Sequence, residues 1–313
     1  MDTSELDYDL PPELIAQHPP EWRGASRLLV YERATGDVRH RAFSDLPEEI
    51  GSVLTVVNDT RVVPARIRIE HPRGEVLLLE HEGGDEWLAL ARPTRRLKAG
   101  VRYGAVELVE HLGEGRWRVR LVGDPDGQAG GTVPLPPYIT EPLGDPSRYQ
   151  TVYADESGSV AAPTAGLHFT PELLGRLDVE RVTLHVGLDT FRPLTTPKLE
   201  QHELHGERYS VRPAAWERIR AAERVLAIGT TTVRVLETVA SNSLLQGRTS
   251  LFVTPGFEFR RVDALLTNFH LPRSTLLALV MTFAGVEETR RLYRLAIEER
   301  YRFYSFGDAM LVL

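Results

Sequence analysis

The chain has 313 residues, 42% of them hydrophobic and 26% charged, with a formal net charge of -7 and no cysteine. Such a chain folds and is long enough for one large domain or two, while the missing cysteine excludes disulfides, thiolate catalysis and iron–sulfur chemistry. The negative balance argues against nucleic-acid binding by the whole surface but leaves room for a local basic face.

No apolar run reaches the length that spans a bilayer, and the acidic opening MDTSELDYDL shows no secretory signal, so the cytoplasm is the expected compartment. Residues 8–15 read as a turn into a short helix that Pro19-Pro20 ends. Arg27 stands just before a strand at 28–31, where it could hold a carboxylate or phosphate or simply solvate a loop. The β-branched run at 53–57 predicts a buried strand ending in Asn58-Asp59-Thr60-Arg61, and polar residues at a strand's C-terminal end are where open α/β sheets place ligands.

From about residue 62 to 122 the texture changes to short alternating runs separated by glycine, proline or charged turns, which predicts a small antiparallel sheet or barrel. Residues 61–120 hold twelve arginines or lysines against nine acids, so this region is positive within a negative chain. Its densest basic cluster is Arg92, Arg95, Arg96, Lys98 and Arg102, either a solvated face or an edge for the phosphates of a polynucleotide. The stretch 123–147, rich in glycine, proline and aspartate, reads as a connector.

The stretch AAPTAGLHFT at 161–170 reads as a loop of small residues carrying Thr164 and His168, which would allow a ligand to come close. Thr170-Pro171-Glu172 after it is a helix start, with an N-cap hydroxyl and proline in the first turn. A strand at 182–186 follows, with His185 near its end, and then His202-Glu203-Leu204-His205, which lacks the spacing of a zinc-protease motif. The strand at 225–228, Gly229, Thr230-Thr231-Thr232 and a helix form a plausible anion site, because first-turn amides lack partners, though they match no nucleotide fingerprint. Asn268 and His270 stand at another strand end before an apolar helix at 276–283, and an arginine-rich helix is expected over 290–302.

Taken together, VVNDTRVVPAR (56–66), YQTVYADESGSVAAPTAGLHFT (149–170), LHVGLDTFRP (184–193), AIGTTTVRVLET (227–238), LLTNFHLPRSTLLALV (265–280) and YRFYSFGDAML (301–311) closely resemble one family. That family is the S-adenosylmethionine:tRNA ribosyltransferase-isomerases of queuosine biosynthesis. The resemblance implies a mixed-sheet α/β domain (1–60 and 155–313) interrupted by a small β-barrel-like domain with a connector (61–154). It also implies that S-adenosylmethionine gives its ribosyl carbons to 7-aminomethyl-7-deazaguanine at the wobble position of tRNA, releasing adenine and methionine and leaving epoxyqueuosine. No metal and no further cofactor are expected, nor a membrane, and a monomer is.

That chemistry sets demands on residue types. The sulfonium acidifies the ribose C5′ protons, so a base is needed, and His168 is the candidate. Protonation of departing adenine suits Asp59 with a raised pKa, His185 or His270; Glu203 could keep the attacking amine neutral. The methionine carboxylate could rest on Arg27 or on the amides after Gly229, with Thr164, Asn268 and Arg61 as hydrogen-bond donors. The tRNA would lie on Arg92, Arg95, Arg96 and Lys98. Departures from the family pattern fall at IRIEHPRG (67–74), before Leu251, at Leu204 and at Leu188-Asp189. The other functional classes weighed are a noncatalytic tRNA-binding protein and an S-adenosylmethionine-dependent methyltransferase, the latter disfavoured because the chain has no glycine-rich strand-turn-helix fingerprint.

Overall fold

The computed structural model describes residues 1–123, 131–187, 194–202, 204 and 206–313. In chain order the first strands are β1 (Arg27–Tyr31), β2 (Val38–Ala42), β3 (Leu54–Asn58), β4 (Thr60–Val62), β5 (Arg66–Ile69) and β6 (Gly74–Gly83). Then come β7 (Glu86–Arg92), β8 (Val101–Tyr103), β9 (Val106–Gly113), β10 (Arg116–Leu121), β11 (Gly131–Thr132) and β12 (Glu156–Ser159). The last are β13 (Asp178–Leu184), β14 (Glu207–Ser210), β15 (Val225–Ile228), β16 (Gln246–Thr249), β17 (Ala264–Asn268) and β18 (Ala309–Val312). The helices are α1 (Leu46–Ile50), α2 (Pro171–Leu174), α3 (Pro213–Ala221), α4 (Thr230–Asn242), α5 (Thr275–Ala284) and α6 (Val286–Glu298).

Among the described residues the strands form a nine-stranded mixed sheet, β16-β14-β13-β3-β15-β17-β18-β1-β2, and a seven-stranded antiparallel sheet, β11-β5-β6-β7-β10-β9-β8. A short parallel pair, β12 with β4, stands apart. The fold is mixed α/β, as expected. No helix among the described residues is long and apolar enough to cross a membrane.

The centre of the large sheet is buried on both faces, which is why β3 and β15 read as continuous apolar runs. Leu54 and Val56 of β3, with Val225 and Ala227 of β15, pack against α4, α5 and α6. The alternate residues Val57, Leu226 and Ile228 join Phe43, Leu46, Phe169 and Leu173 on the other face. The small sheet alternates instead: Val76, Leu78, Trp87, Ala89, Trp117 and Val119 form its own core, and every second residue faces outward.

Strands β13, β3, β15 and β17 run parallel as neighbours. Their C-terminal ends therefore lie together and carry His185, Asn58 with Asp59, Gly229 and Asn268. Gly229 begins α4 at φ 85, a conformation that strains any residue with a Cβ. Over these ends lies a 3₁₀ turn, Thr164–His168, followed by α2, whose N-cap Thr170 Oγ1 accepts from the Leu173 amide at 3.1 Å as expected.

Three expected elements differ. The last helix starts at Val286 and ends at Glu298, because Gly285 at φ 97 sets its entry. The helix expected near residues 8–15 is reduced to a 3₁₀ turn, Pro12–Leu14, by its proline pair. The strand carrying His185 begins at Asp178 and closes at Leu184, so His185 lies just past the ladder.

Candidate active site

A cavity of about 850 Å³ opens between the two sheets. One wall is the outer face of the small sheet, where Leu79, Leu88 and Leu90 stand at positions that alternation would normally make polar. The opposite wall comes from β14, β16, α4 and α5, with Leu204, Leu251, Phe252, Leu276 and Leu279. Two apolar walls facing a short polar margin suit flat, uncharged heterocycles.

The polar margin is made largely of ion pairs. Arg234 of α4 and Glu207 of β14 form a buried pair, and Arg234 also donates from Nε to the Leu251 carbonyl at 2.9 Å and from Nη2 to that of Thr249 at 3.1 Å. Glu207 Oε1 accepts from the Gly187 amide at 2.8 Å. Across the mouth, Glu80 of the small sheet takes Arg208 Nε at 2.9 Å together with the Arg248 guanidinium. Glu80 thereby joins the small sheet to the edge of the large one.

His185 is the histidine that both the motifs and the cavity share. Its Nδ1 lies 2.8 Å from Thr60 Oγ1, and no hydrogen bond to Nε2 is found among the described residues. The ring rests on Gly158 of β12, where a Cβ would come within 3.1 Å of Cε1. Burial lowers its pKa below the ordinary histidine value; His81 and Arg208 add to this, and Glu80 opposes it. His185 is therefore neutral at pH 7 and able to accept a proton.

The remaining expected residues lie elsewhere. His168 is 3% exposed, with Nδ1 2.8 Å from Ser26 Oγ, Nε2 3.2 Å from Asn268 Nδ2 and its ring on Phe43; burial first, then Arg302, lowers its pKa to about 4. Asn268 also donates to the Tyr304 carbonyl at 3.1 Å. His270 is held by Thr267 Oγ1 at 2.7 Å, its pKa lowered to about 3 by burial. Buried Asp59 accepts from Thr183 Oγ1 at 2.7 Å, and burial raises its pKa.

Arg27 donates to the Glu299 carbonyl at 2.7 Å and lies 3.7 Å over the Tyr301 ring, while Arg61 donates to the Ala154 carbonyl. Thr164 is half-buried at the start of its turn. At the N-terminus of α4 the Gly229 amide donates to the Leu266 carbonyl at 2.8 Å, and Thr230 and Thr231 are buried, with Thr231 Oγ1 accepting from Asn58 Nδ2 at 3.3 Å. None of these residues lines the cavity. Glu203 lies outside the described residues. Arg92, Arg95, Arg96 and Lys98 are exposed and in no ion pair among the described residues.

Sequence reasoning missed the ion pairs. Arg234 carried a usable signal, since a lone cation in the apolar helix run TTTVRVL needs a buried partner. Glu80, Arg208 and Arg248 sit in ordinary charged stretches and carried none.

Over residues 3–312 the chain matches the family model described as queuosine biosynthesis protein. It is 50% identical over 328 residues to an S-adenosylmethionine:tRNA ribosyltransferase-isomerase of Rubrobacter xylanophilus, covering 100% of this chain and 98% of that one. The corresponding protein of Moorella thermoacetica is 49% identical over 348 residues, with both chains covered in full at 100%. A crystal structure of an S-adenosylmethionine tRNA ribosyltransferase from Thermotoga maritima superposes with a TM-score of 0.58 at 37% identity, covering 99% of this chain and 100% of that one.

Proposed function

The chain belongs to the queuosine biosynthesis protein family and acts as an S-adenosylmethionine:tRNA ribosyltransferase-isomerase, and from that premise we propose that the reaction takes place in the cavity between its two sheets. S-adenosylmethionine is the co-substrate and the acceptor is 7-aminomethyl-7-deazaguanine at the wobble position of a tRNA. The noncatalytic binding reading is not favoured.

The observation that carries the placement is His185. It combines a motif position, a lowered pKa, a ring nitrogen left without a partner among the described residues and a place on the cavity wall. In this reading His185 takes the proton from the ribose C5′, the role expected of His168, and returns it as adenine leaves. Leu79, Leu88 and Leu90 face one heterocycle and Leu276 and Leu279 the other, and the Arg234–Glu207 pair sets the shape of the floor. His168, Asn268 and His270 hold the loop and strand ends behind the site.

The tRNA lies along the small sheet on Arg92, Arg95, Arg96 and Lys98. We read residues 61–154 as a barrel-like module inserted into a discontinuous α/β domain of 1–60 and 155–313. Support comes from the pairing: among the described residues, strands β5 to β11 pair only with one another.

The test is product analysis. Purified protein, S-adenosylmethionine and a tRNA carrying the aminomethyl base should release one adenine and one methionine for each modified tRNA, followed by chromatography. Tight tRNA binding with no adenine formed would leave a binding protein and remove the catalytic reading.

A further inference from the structure

Strand β10 places three arginines on one outward face, Arg116, Arg118 and Arg120, with Trp117, Val119 and Leu121 in the core between and after them. The three are alike in residue type, strand and face, and they differ in what lies across the ladder. Arg120 stands opposite Glu86 of β7 and Glu107 of β9 and pairs with both, and also with Asp85. Arg118 stands opposite Glu110 and pairs with it and with Glu82. Arg116 stands opposite Leu90 and Gly113, and among the described residues no acid pairs with it.

Arg116 is also the arginine of the three that lines the cavity. The cavity's other arginines each have an acid beside them: Arg208 and Arg248 share Glu80, and Arg234 has Glu207. Arg116 is partly exposed and has no counter-ion among the described residues, so an anion from outside the chain can replace the water on its guanidinium.

We propose that Arg116 binds a phosphodiester of the tRNA at the mouth of the cavity, forming the inner end of a cationic track that runs along the small sheet to Arg92, Arg95, Arg96 and Lys98. This rests on the cavity being the site of the reaction. Continuity favours phosphate over the methionine carboxylate, the other anion that the substrates bring. On the outer face of β7, Arg92 follows Leu90 by two residues, and Leu90 is the residue opposite Arg116. The acid across from Arg92, Glu75, lies 3.9 Å from Arg66 instead. Beyond Arg92 the chain turns through Arg95 and Arg96 in a 3₁₀ turn, and the end of β7 just before that turn is tied to the start of β10: the Ala91 amide donates to the Gly115 carbonyl at 3.0 Å. Successive unpaired cations leading from an apolar slot suit a strand whose backbone follows the charges while one base enters the slot.

The experiment measures the affinity of the full-length protein for a tRNA bearing the aminomethyl base over a range of salt, together with the KM for S-adenosylmethionine at saturating tRNA. Arg116→Gln is expected to weaken tRNA binding severalfold and to reduce the slope of log affinity against log salt by about 0.7 to 0.9, the loss of one phosphate contact. The KM for S-adenosylmethionine should not change. Arg116→Lys should keep most of the slope, and Arg118→Gln, whose charge is already neutralised, should keep all of it. A raised KM for S-adenosylmethionine with an unchanged slope would overturn the proposal and place the methionine carboxylate on Arg116. No change in either quantity would also overturn it. Should the cavity reading itself be wrong, His185→Ala would release adenine at close to the wild-type rate, which the same assay reveals independently of Arg116.

Discussion

At the centre of the large sheet, the ends of β3, β15 and β17 carry Asn58, Asp59, Gly229 and Asn268, and most of their polar groups are spent on another part of the chain, with Asn268 Oδ1 buried and unpaired. At the flank, beyond β13, the groups around His185 stand open to a cavity walled by leucines of the small sheet and of α5. The two regions have similar residue types and opposite solvation. Polar side chains at the C-terminal ends of parallel strands can serve a ligand or they can anchor a covering loop. Here the turn Thr164–His168 occupies the centre and leaves the flank open, where we place the substrates.

Breaking the comparison begins with its two histidines. His185→Ala is expected to lower kcat by about two to four orders of magnitude, the scale of a lost general base, with a melting temperature close to that of the parent protein. His168→Asn removes a buried hydrogen bond to Ser26 and the packing on Phe43. It should cost about 1 to 3 kcal/mol of stability and lower kcat less than His185→Ala does. Adenine release and thermal unfolding on the same two variants decide it; a larger loss of kcat at His168 would move the chemistry to the centre of the sheet.

The same contrast has a pH signature. Folding holds His168 at about 4 and His270 at about 3, while an unfolded histidine titrates near 6.5. Below that value the unfolded chain takes up protons that the folded chain refuses. The stabilisation from these two neutral rings is therefore complete above pH ~6.5 and is lost as the pH falls toward their folded values, by about 3 kcal/mol for His168 and about 5 kcal/mol for His270. Asp59, raised by burial, works in the opposite direction at the acid end of this range. Denaturant unfolding at pH 7 and pH 4.5 should show the loss in the parent protein and a smaller one in His168→Asn. An equal loss in both would mean that His168 does not report the dry centre.

Much of the centre was legible from sequence because its physics is local. Apolar β-branched runs predict β3 and β15, and a glycine followed by threonines and a helical run predicts the start of α4. His185 was legible as a residue near a strand end, though its environment was not. The flank was hidden because it is built from pairing. Strands β14 and β16, ERYS and QGRT, have no apolar alternation, and they are strands because they pair with each other and β14 pairs with β13. Inside α4, Arg234 signals a buried partner without saying which, and Glu237 looks like ordinary helix surface until the fold supplies its partners. Glu237 is 1% exposed and accepts the amides of Arg260, Arg261 and Val262, which no spacing rule anticipates.

The smallest expected effect concerns how the two walls are joined. Among the described residues, ion pairs between the two sheets run through Glu80 to Arg208 and Arg248. Their side chains are 25%, 46% and 49% exposed, so each pair contributes about 1 kcal/mol or less in water. Glu80→Gln should therefore leave stability within about 1 kcal/mol of the parent protein while freeing two guanidinium groups at the cavity mouth. The result expected is a change of a few-fold in the KM for S-adenosylmethionine, with kcat held. Raising the ionic strength should weaken the pairs of the parent protein in the same sense and narrow the difference between the two. A stability loss of several kcal/mol in Glu80→Gln would show instead that the sheets depend on this ion pair for their joint. The leucines of the facing walls would then be contact surface for the substrates more than for each other.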